Sequence, residues 1–175
     1  MNNHHIANKP DELLDWVDQD DQVIGQIVRG KANSDPQYTH REVGVLIFDK
    51  DNRVLLQRRS QYKTVHPGMW SVTAGHILSG ETAIETAHTE LKEELGFDTD
   101  LEYLEKEFHS YDHETHFMYY YLAKYEDQEI ELEAAEVEKV QFFSRSELDN
   151  LLKSEELVNK KHLPIINKVL DGKFK

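Results

Sequence analysis

The sequence predicts an α/β fold in which a mixed sheet is flanked by helices on both sides. Strand-like apolar runs lie on both sides of one long helical segment, and two shorter helical segments follow the last strand. The chain has 175 residues, of which 38% are hydrophobic and 31% charged, a composition typical of a globular protein with a sizeable core. We therefore predict a single domain over residues 1–175.

The N-terminal part predicts a tail and a hairpin. Residues 1–11 are polar and are expected to form a loose tail, in which His4 and His5 have no ligand role. Residues 12–30 contain LLDWVDQDDQVIGQIV, two strand-like runs around a turn with paired aspartates, and so predict an N-terminal β-hairpin extension. A loop rich in Gly, Asn, Ser and Pro is expected over residues 29–37.

Residues 38–144 predict the core of the domain. Its helix is expected to begin near Glu81 or Thr82 and to end at Gly96, a glycine in the usual position after a helix. Apolar residues three and four apart give that helix one face for packing against the sheet. Strands are expected over residues 38–48, 54–59, 70–73, 101–111, 115–125 and 140–143, with 54–59 returning as the partner of 38–48.

Residues 145–175 predict C-terminal helices. Ser146 and Glu147 resemble the start of a capping box and are expected to open a short helix. A last helix is expected over residues 162–170, with Pro164 in its first turn.

Composition excludes several classes of function. The absence of cysteine excludes disulfides, thiolate zinc sites and cysteine nucleophiles, and it fits a reducing compartment. A formal charge of −14 argues against binding to a nucleic-acid polymer. No apolar run is long enough to span a membrane, and the first residues lack the features of a signal peptide. We expect a cytoplasmic protein with no membrane partner. The sequence is compatible with a homodimer as well as with a monomer.

Three carboxylates are crowded on the predicted central helix. Glu90 lies three and four residues before Glu93 and Glu94, so it shares a helix face with both. Two like charges about 4 Å apart repel by roughly 4 kcal/mol at an effective dielectric constant of about 20. A hard divalent cation bound through oxygen ligands would relieve that repulsion. The alternative is a solvated acidic face, which is common on helices.

The segment GHILSGETAIETAHTELKEELGF resembles the Nudix box, G-x5-E-x7-R-E-U-x-E-E-x-G-U, where U is a bulky apolar residue. The only mismatch is Thr89, which stands at the arginine position. The flanks extend the resemblance to the Nudix branch related to isopentenyl-diphosphate isomerase, through the entry LLDWVDQDDQVIG, the pair His40-Arg41, the run LLQRRS, and Lys63 followed by HPGMW. That branch carries an N-terminal hairpin before its core.

The resemblance implies a fold, a cofactor and a set of site residues. It implies an α/β/α sandwich whose box helix presents glutamates to a substrate diphosphate. It also implies Mg²⁺, with Mn²⁺ as an alternative ion. Glu90 and Glu94 are the first-choice metal ligands and Glu93 a third, direct or through water, while the Gly75 carbonyl is a further candidate. As a plain turn residue, Gly75 would have no such role.

A general base and phosphate-binding residues are also implied. Glu136 matches an acid that some family members use as a base after the later strands, and Glu138 is a weaker candidate. Arg58, Arg59 and Lys63 are candidates for binding substrate phosphates. Because side chains alternate along a strand, Arg58 and Arg59 should point to opposite faces, so at most one would reach the cleft.

Histidines form a second group of candidates. In the isomerase relatives, histidines at the places of His40 and His76 help to bind an additional metal, although a hydrogen-bonding role is favoured here. His109, His113 and His116 are expected to line a substrate pocket, with a histidine-rich metal site as the alternative.

Thr89 is the departure that matters. In the family, the arginine at this place pairs with the box glutamates and orients them. We expect metal binding to survive with lower turnover, and Thr89→Arg to raise turnover without changing the products.

The resemblance predicts a Mg²⁺-dependent hydrolase that cleaves a diphosphate linkage in a nucleoside diphosphate derivative or a similar small molecule. One alternative is isomerase-like chemistry, which is disfavoured because the isomerase relatives protonate their substrate with a cysteine and this chain has none. Another is a ligand sensor without turnover, which would be expected to lose the box glutamates.

Overall fold

The computed structural model describes residues 9–174, so His4 and His5 lie outside the described residues. The predicted hairpin is present as an antiparallel pair, β1 (Leu13–Val17) and β2 (Val23–Val28). A short helix, α1 (Arg29–Ala32), follows where a loop was predicted.

A seven-stranded mixed sheet forms the centre of the molecule. Its strands are β3 (His40–Phe48), β4 (Val54–Arg59), β5 (Trp70–Ser71), β6 (Thr73–His76), β7 (Leu101–Ser110), β8 (Thr115–Lys124) and β9 (Val137–Phe143). The strand order is β5-β4-β3-β8-β7, with β6 also paired to β3 and β9 to β4. The strands β3 and β8 are parallel, and the other pairs are antiparallel.

The expected pairing of β3 with β4 is wrong over most of its length. Only Ile47 and Phe48 of β3 pair with β4, whereas residues 42–45 pair with β6. The main partner of β4 is β9, which runs antiparallel to it along residues 54–59. A short connection between β3 and β4 predicts a hairpin, but β4 pairs along most of its length with the later strand β9.

The helix α2 (Ala83–Leu95) begins and ends as expected. Thr82 and Glu85 form a capping box at its start, and Gly96 adopts a left-handed conformation, φ 77°, at its end. Its apolar face packs on one side of the sheet, where Leu91 and Leu95 meet Val43 and Val45 of β3.

The other side of the sheet is covered by the C-terminal helices α3 (Arg145–Lys153) and α4 (Leu163–Leu170), so the prediction of helices on both sides is confirmed. The expected cap of α3 is two residues too late, because Ser144, and not Ser146, makes the capping box with Glu147. A 3₁₀ turn, Lys160–His162, leads into α4, which has its proline in the first turn.

An ion-pair network around the buried Asp21 attaches the hairpin to the sheet. Asp21, in the hairpin turn, accepts hydrogen bonds from Arg41 Nε at 2.6 Å and Lys106 Nζ at 2.8 Å, and also from the Tyr119 hydroxyl. Burial would raise the pKa of Asp21, but these hydrogen bonds hold it below its usual value. No helix within residues 9–174 is long and apolar enough to cross a membrane.

Candidate functional site

Two of the three crowded glutamates point inward from α2. Glu90 and Glu94 are one helical turn apart and face the sheet, and Glu94 is only 4% exposed. Glu93 points outward: its side chain is 58% exposed, and its Oε2 lies 3.8 Å from Lys9 Nζ. The structure therefore brings together Glu90 and Glu94 and leaves Glu93 at the rim.

Gly75 of β6 lies directly against Glu90. A Cβ atom at position 75 would be 1.8 Å from Glu90 Oε1 and 2.2 Å from Glu90 Cδ. No side chain fits in that space, so the close approach itself requires glycine. The Glu90 carboxyl is thus held against the backbone of β6.

Burial controls the charge of the two inward glutamates. It raises the pKa of Glu90 well above its usual value, and the neighbouring carboxylates of Glu94, Glu93 and Glu136 raise it further. It also raises the pKa of Glu94 to about 7, although a hydrogen bond from Gln57 and the charge of Lys63 act in the opposite direction. A divalent cation would compensate for the buried charge, and carboxylate oxygens are the ligands that Mg²⁺ prefers. These residues fit the ion that the family implies.

Two buried residues that the sequence analysis missed orient Glu94. Gln57 Nε2 of β4 donates to Glu94 Oε2 at 2.7 Å, and Thr73 Oγ1 of β6 donates to Gln57 Oε1 at 3.2 Å. Because the Thr73 hydroxyl donates to the amide oxygen, the amide nitrogen must face Glu94. The period of two along LLQRR, which places Gln57 on the same face as Arg59, could have identified Gln57. Thr89 itself is exposed.

Glu136 and Lys63 complete this site. The Lys63 ammonium donates to Glu136 Oε2, and the Lys63 side chain is only 8% exposed. The Glu133 backbone N–H donates to the Glu94 carbonyl, which holds the loop before Glu136 against α2, and the charge of Glu136 raises the pKa values of both Glu90 and Glu94. We call Glu90, Glu94, Glu136 and Lys63, together with Gly75, the box site.

The two arginines of β4 have different surroundings. Arg58 Nη1 donates to Glu138 at 2.9 Å, and Arg58 Nε lies 3.7 Å from Glu156 in the segment after α3. Arg59 donates through Nε to the Val65 carbonyl at 3.2 Å, and its charge lowers the pKa of Glu94. Of the two arginines, only Arg59 is near the box site, and Glu138 lies away from it with Arg58.

A second polar cluster lies on the opposite face of the sheet. His40, Glu42, Glu114 and His116 each offer a ligand atom within 4.8 Å of the others, and we call these four residues the histidine cluster. The pairing of β3 with β8 places His40 beside His116. Alternation along β3 sends Val43 toward α2 and Glu42 toward this cluster.

Three histidine nitrogens in this cluster lack hydrogen-bond partners. His40 Nε2 and both ring nitrogens of His116 are buried and unpaired among the residues that the structure describes. Burial lowers the pKa of His116 to about 3, so its ring is neutral, which is the form that binds metals. Imidazole nitrogens together with carboxylates suit Zn²⁺ or Mn²⁺. The cluster therefore fits an additional metal ion.

The histidine candidates from the sequence are only partly in this cluster. His76 Nε2 lies 3.3 Å from Glu42 Oε1 but also 2.9 Å from Asn33 Oδ1, and so has its own hydrogen-bond partner. The His109 ring is 5.3 Å from that of His116, whereas the His113 side chain is 63% exposed. Sequence reasoning missed Glu42 and Glu114, although each stands two residues before or after a cluster histidine in a strand-like run.

Comparison with known proteins identifies the family. The model of the NUDIX domain matches residues 38–165. An uncharacterised Nudix hydrolase of Listeria innocua is 35% identical over 134 residues, which are 75% of this chain and 78% of that protein. This chain therefore belongs to the NUDIX family.

Other relatives include isomerases. An isopentenyl-diphosphate Δ-isomerase of Nocardia farcinica is 40% identical over 84 residues, 47% of this chain and 48% of that protein. The chain thus spans about half the length of several curated relatives that it matches, including this one.

Solved structures show the same fold. DR0079 from Deinococcus radiodurans has a TM-score of 0.76 at 21% identity, covering 90% of this chain and 98% of that one. The NUDIX domain of Shewanella oneidensis NrtR, crystallised with ADP ribose, has a TM-score of 0.61 at 21% identity, covering 75% of this chain and 86% of that one. The fold is the Nudix sandwich, a mixed sheet between helices.

Proposed function

We propose that this protein is a Mg²⁺-dependent hydrolase that cleaves the diphosphate linkage of a nucleoside diphosphate derivative or a similar small molecule. The observation that carries the proposal is the buried pair Glu90 and Glu94, held against Gly75 with Glu136 and Lys63 beside it. ADP ribose, present with the NrtR domain, is a molecule of this class. Mn²⁺ is an alternative ion.

The negative charge of the chain supports a small substrate. At −14, the protein repels a polyanion at long range, whereas local cations and a bound ion can hold one diphosphate. We place the protein in the cytoplasm, in keeping with its lack of cysteine.

The residues of the box site and their neighbours have separate roles in hydrolysis. A divalent ion held by Glu90 and Glu94, with the Gly75 carbonyl as a further ligand and Glu93 reaching it through water from the rim, would neutralise diphosphate oxygens and lower the pKa of a bound water. Lys63, and Arg59 on the neighbouring strand, bind phosphate oxygens of the substrate. A water oxygen forms a bond to one phosphorus, and the bridging oxygen leaves with the other phosphate. Glu136 accepts the proton of that water.

The residues of the site weigh against the two alternatives. Isomerase-like chemistry needs a proton donor at the double bond, and the cysteine that its relatives use is absent from this chain. A sensor without turnover has no need to keep two carboxyls buried together, because that arrangement is unfavourable without a cation.

Product analysis tests the proposal. The full chain is incubated with nucleoside diphosphates, nucleotide sugars, ADP ribose and isopentenyl diphosphate, with and without Mg²⁺. We expect Mg²⁺-dependent release of two phosphate-bearing products from at least one nucleotide. Glu94→Gln should lower turnover by about 100-fold or more and stay folded, whereas the exposed control Glu102→Gln should not change it. Absence of turnover on every compound would favour a sensor, and double-bond migration without phosphate release would favour the isomerase.

We also propose that the histidine cluster binds a second divalent ion of the kind that accepts imidazole ligands. The unpaired buried nitrogens of His40 and His116 support this proposal.

A further inference from the structure

A half-buried lysine reaches into the histidine cluster from the C-terminal part of the chain. Lys161 lies in the 3₁₀ turn Lys160–His162, and its Nζ donates to Glu42 Oε2 at 3.1 Å. Its side chain is 19% exposed, whereas the Glu42 side chain is 9% exposed. An ammonium group so enclosed needs a carboxylate partner, and Glu42 provides it.

Glu42 is shared between this lysine and the cluster histidines. His116 Nε2 lies 3.6 Å from Glu42 Oε2, the same oxygen that accepts from Lys161. His40 Nε2 lies 3.6 Å from Glu42 Oε1. A metal ion bound by His116 and Glu42 would therefore lie at the Glu42 oxygen that accepts the hydrogen bond from Lys161. The positive charges of the metal ion and of the Lys161 ammonium would repel each other there.

The neighbouring residues indicate which part would have to move. His162, next to Lys161, makes a 3.0 Å hydrogen bond through Nδ1 with the Tyr120 hydroxyl in the core. His162 is buried, and the start of α4 is packed on the sheet through Ile165 and Ile166. The backbone of the 3₁₀ turn is thus anchored, so only the Lys161 side chain is free to leave Glu42.

We propose that Lys161 is the resident cation of the histidine cluster and competes with a divalent ion for Glu42. Lys161 thereby sets the metal affinity of the cluster, and the ion binds only as the lysine releases Glu42. This inference depends on the proposal that the cluster binds a second ion.

Metal titration of four variants tests the competition. Each variant carries Glu94→Gln, so that binding at the box site is weakened and is the same in all four, and each is stripped with chelator before titration with Zn²⁺ against a competing chromogenic chelator. Zn²⁺ is used because it accepts imidazole nitrogen readily. The variants are the Glu94→Gln protein alone and the same protein with Lys161→Met, Lys160→Met or His116→Ala.

We expect Lys161→Met to bind one ion about tenfold or more tightly than the parent, because a competing positive charge is gone. The exposed control Lys160→Met should bind as the parent does, and His116→Ala should lose the ion. Zn²⁺ should also raise the melting temperature of Lys161→Met more than that of the parent. Lys161→Gln, which keeps a polar end, replaces Lys161→Met if the latter does not fold.

Two results distinguish a failure of the proposed competition from a failure of the proposed second metal site. If Lys161→Met binds like the parent while His116→Ala loses the ion, the competition is wrong and the second metal site is right. If the parent and Lys161→Met bind no more Zn²⁺ than His116→Ala does, the histidine cluster binds no ion, and both proposals are wrong. Neither result bears on hydrolysis at the box site.

Discussion

The orientation of the Glu94 carboxyl is set by residues from two strands of the sheet. Burial raises its pKa to about 7, and Gln57 from β4, aligned by Thr73 from β6, gives one of its oxygens a fixed hydrogen-bond donor. In the Nudix box, the arginine that stands at the place of Thr89 orients the glutamates from the helix. Here Thr89 is exposed, and the orientation of Glu94 comes from the sheet. That Thr89→Arg raises turnover stays a prediction.

Replacing Gln57 tests this orientation. We expect Gln57→Leu to raise the Mg²⁺ concentration needed for half-maximal turnover by about tenfold to hundredfold, because Glu94 loses its only described side-chain donor. The measurement is turnover against Mg²⁺ concentration for Gln57→Leu and for Gln141→Leu, an exposed position on β9. An unchanged Mg²⁺ requirement in Gln57→Leu would show that Glu94 is positioned by something else.

The raised pKa of Glu94 predicts a pH-dependent stability in chelator. The folded chain holds the Glu94 proton more tightly than the unfolded chain, whose carboxyl has a pKa of 4.5. The resulting stabilisation is complete below pH 4.5 and is lost as pH rises through about 7. The shift corresponds to about 3 kcal/mol in the free energy of unfolding.

Urea unfolding of metal-free protein at about pH 5 and about pH 8 measures that loss. Glu94→Gln, which mimics the protonated group, should show a smaller decrease, with the remainder due to Glu90. A decrease as large in the variant as in the wild type would contradict the assignment to Glu94.

The strand β6 and the helix α2 together make the box site. Gly75 faces α2 and His76 faces the other side, because neighbouring residues of a strand alternate. The absence of a Cβ at Gly75 lets Glu90 reach the backbone of β6. The capping box at Thr82 and the left-handed Gly96 fix where α2 starts and stops, and hence which glutamates face inward.

Gly75→Ala tests the contact between these two elements. The added Cβ would overlap the Glu90 carboxyl, so Glu90 must turn away while the backbone stays. We expect turnover to fall by about 100-fold with little change in melting temperature, since the Glu90 side chain is flexible at its end. Glu102→Gln, an exposed change on β7, is the control for turnover. Full activity in Gly75→Ala would mean that the position of Glu90 is not important for turnover.

At the scale of the whole molecule, one sheet separates two polar sites. The box site lies on the α2 side and the histidine cluster on the side of the C-terminal helices, from which Lys161 is supplied. The N-terminal hairpin is attached through Asp21, which receives hydrogen bonds from Arg41 of β3, Lys106 of β7 and Tyr119 of β8. A single turn residue thus joins the hairpin to three strands.

Asp21→Asn tests that attachment. Asparagine tolerates the left-handed backbone of this position, φ 63°, but removes the charge that Arg41 and Lys106 face. We expect the free energy of unfolding in urea at neutral pH to fall by about 1–3 kcal/mol. The exposed neighbour variant Asp20→Asn should change little. Equal stability of the two variants would show that the network contributes nothing.

Patterns within a few residues of each other were enough to predict much of this fold. The limits of α2, the hairpin and the strands beside the turns follow from caps, turn residues and periodicity. The pairing of β4 with β9 could not be predicted, because the two strands are distant in the chain and their backbone groups pair without any side-chain signature. The choice of Ser144 over Ser146 as a cap depends on where β9 ends, which is also a tertiary property.

The sequence by itself determined the family and the crowding of Glu90, Glu93 and Glu94. These are local properties, since spacing along a helix decides which side chains are neighbours. Only the tertiary structure decided that Glu93 faces solvent, that Gln57 holds Glu94, and that Lys161 enters the histidine cluster. The physical reason is that burial and long-range pairing depend on how the sheet and helices pack. The spacing of residues within one segment does not determine that packing.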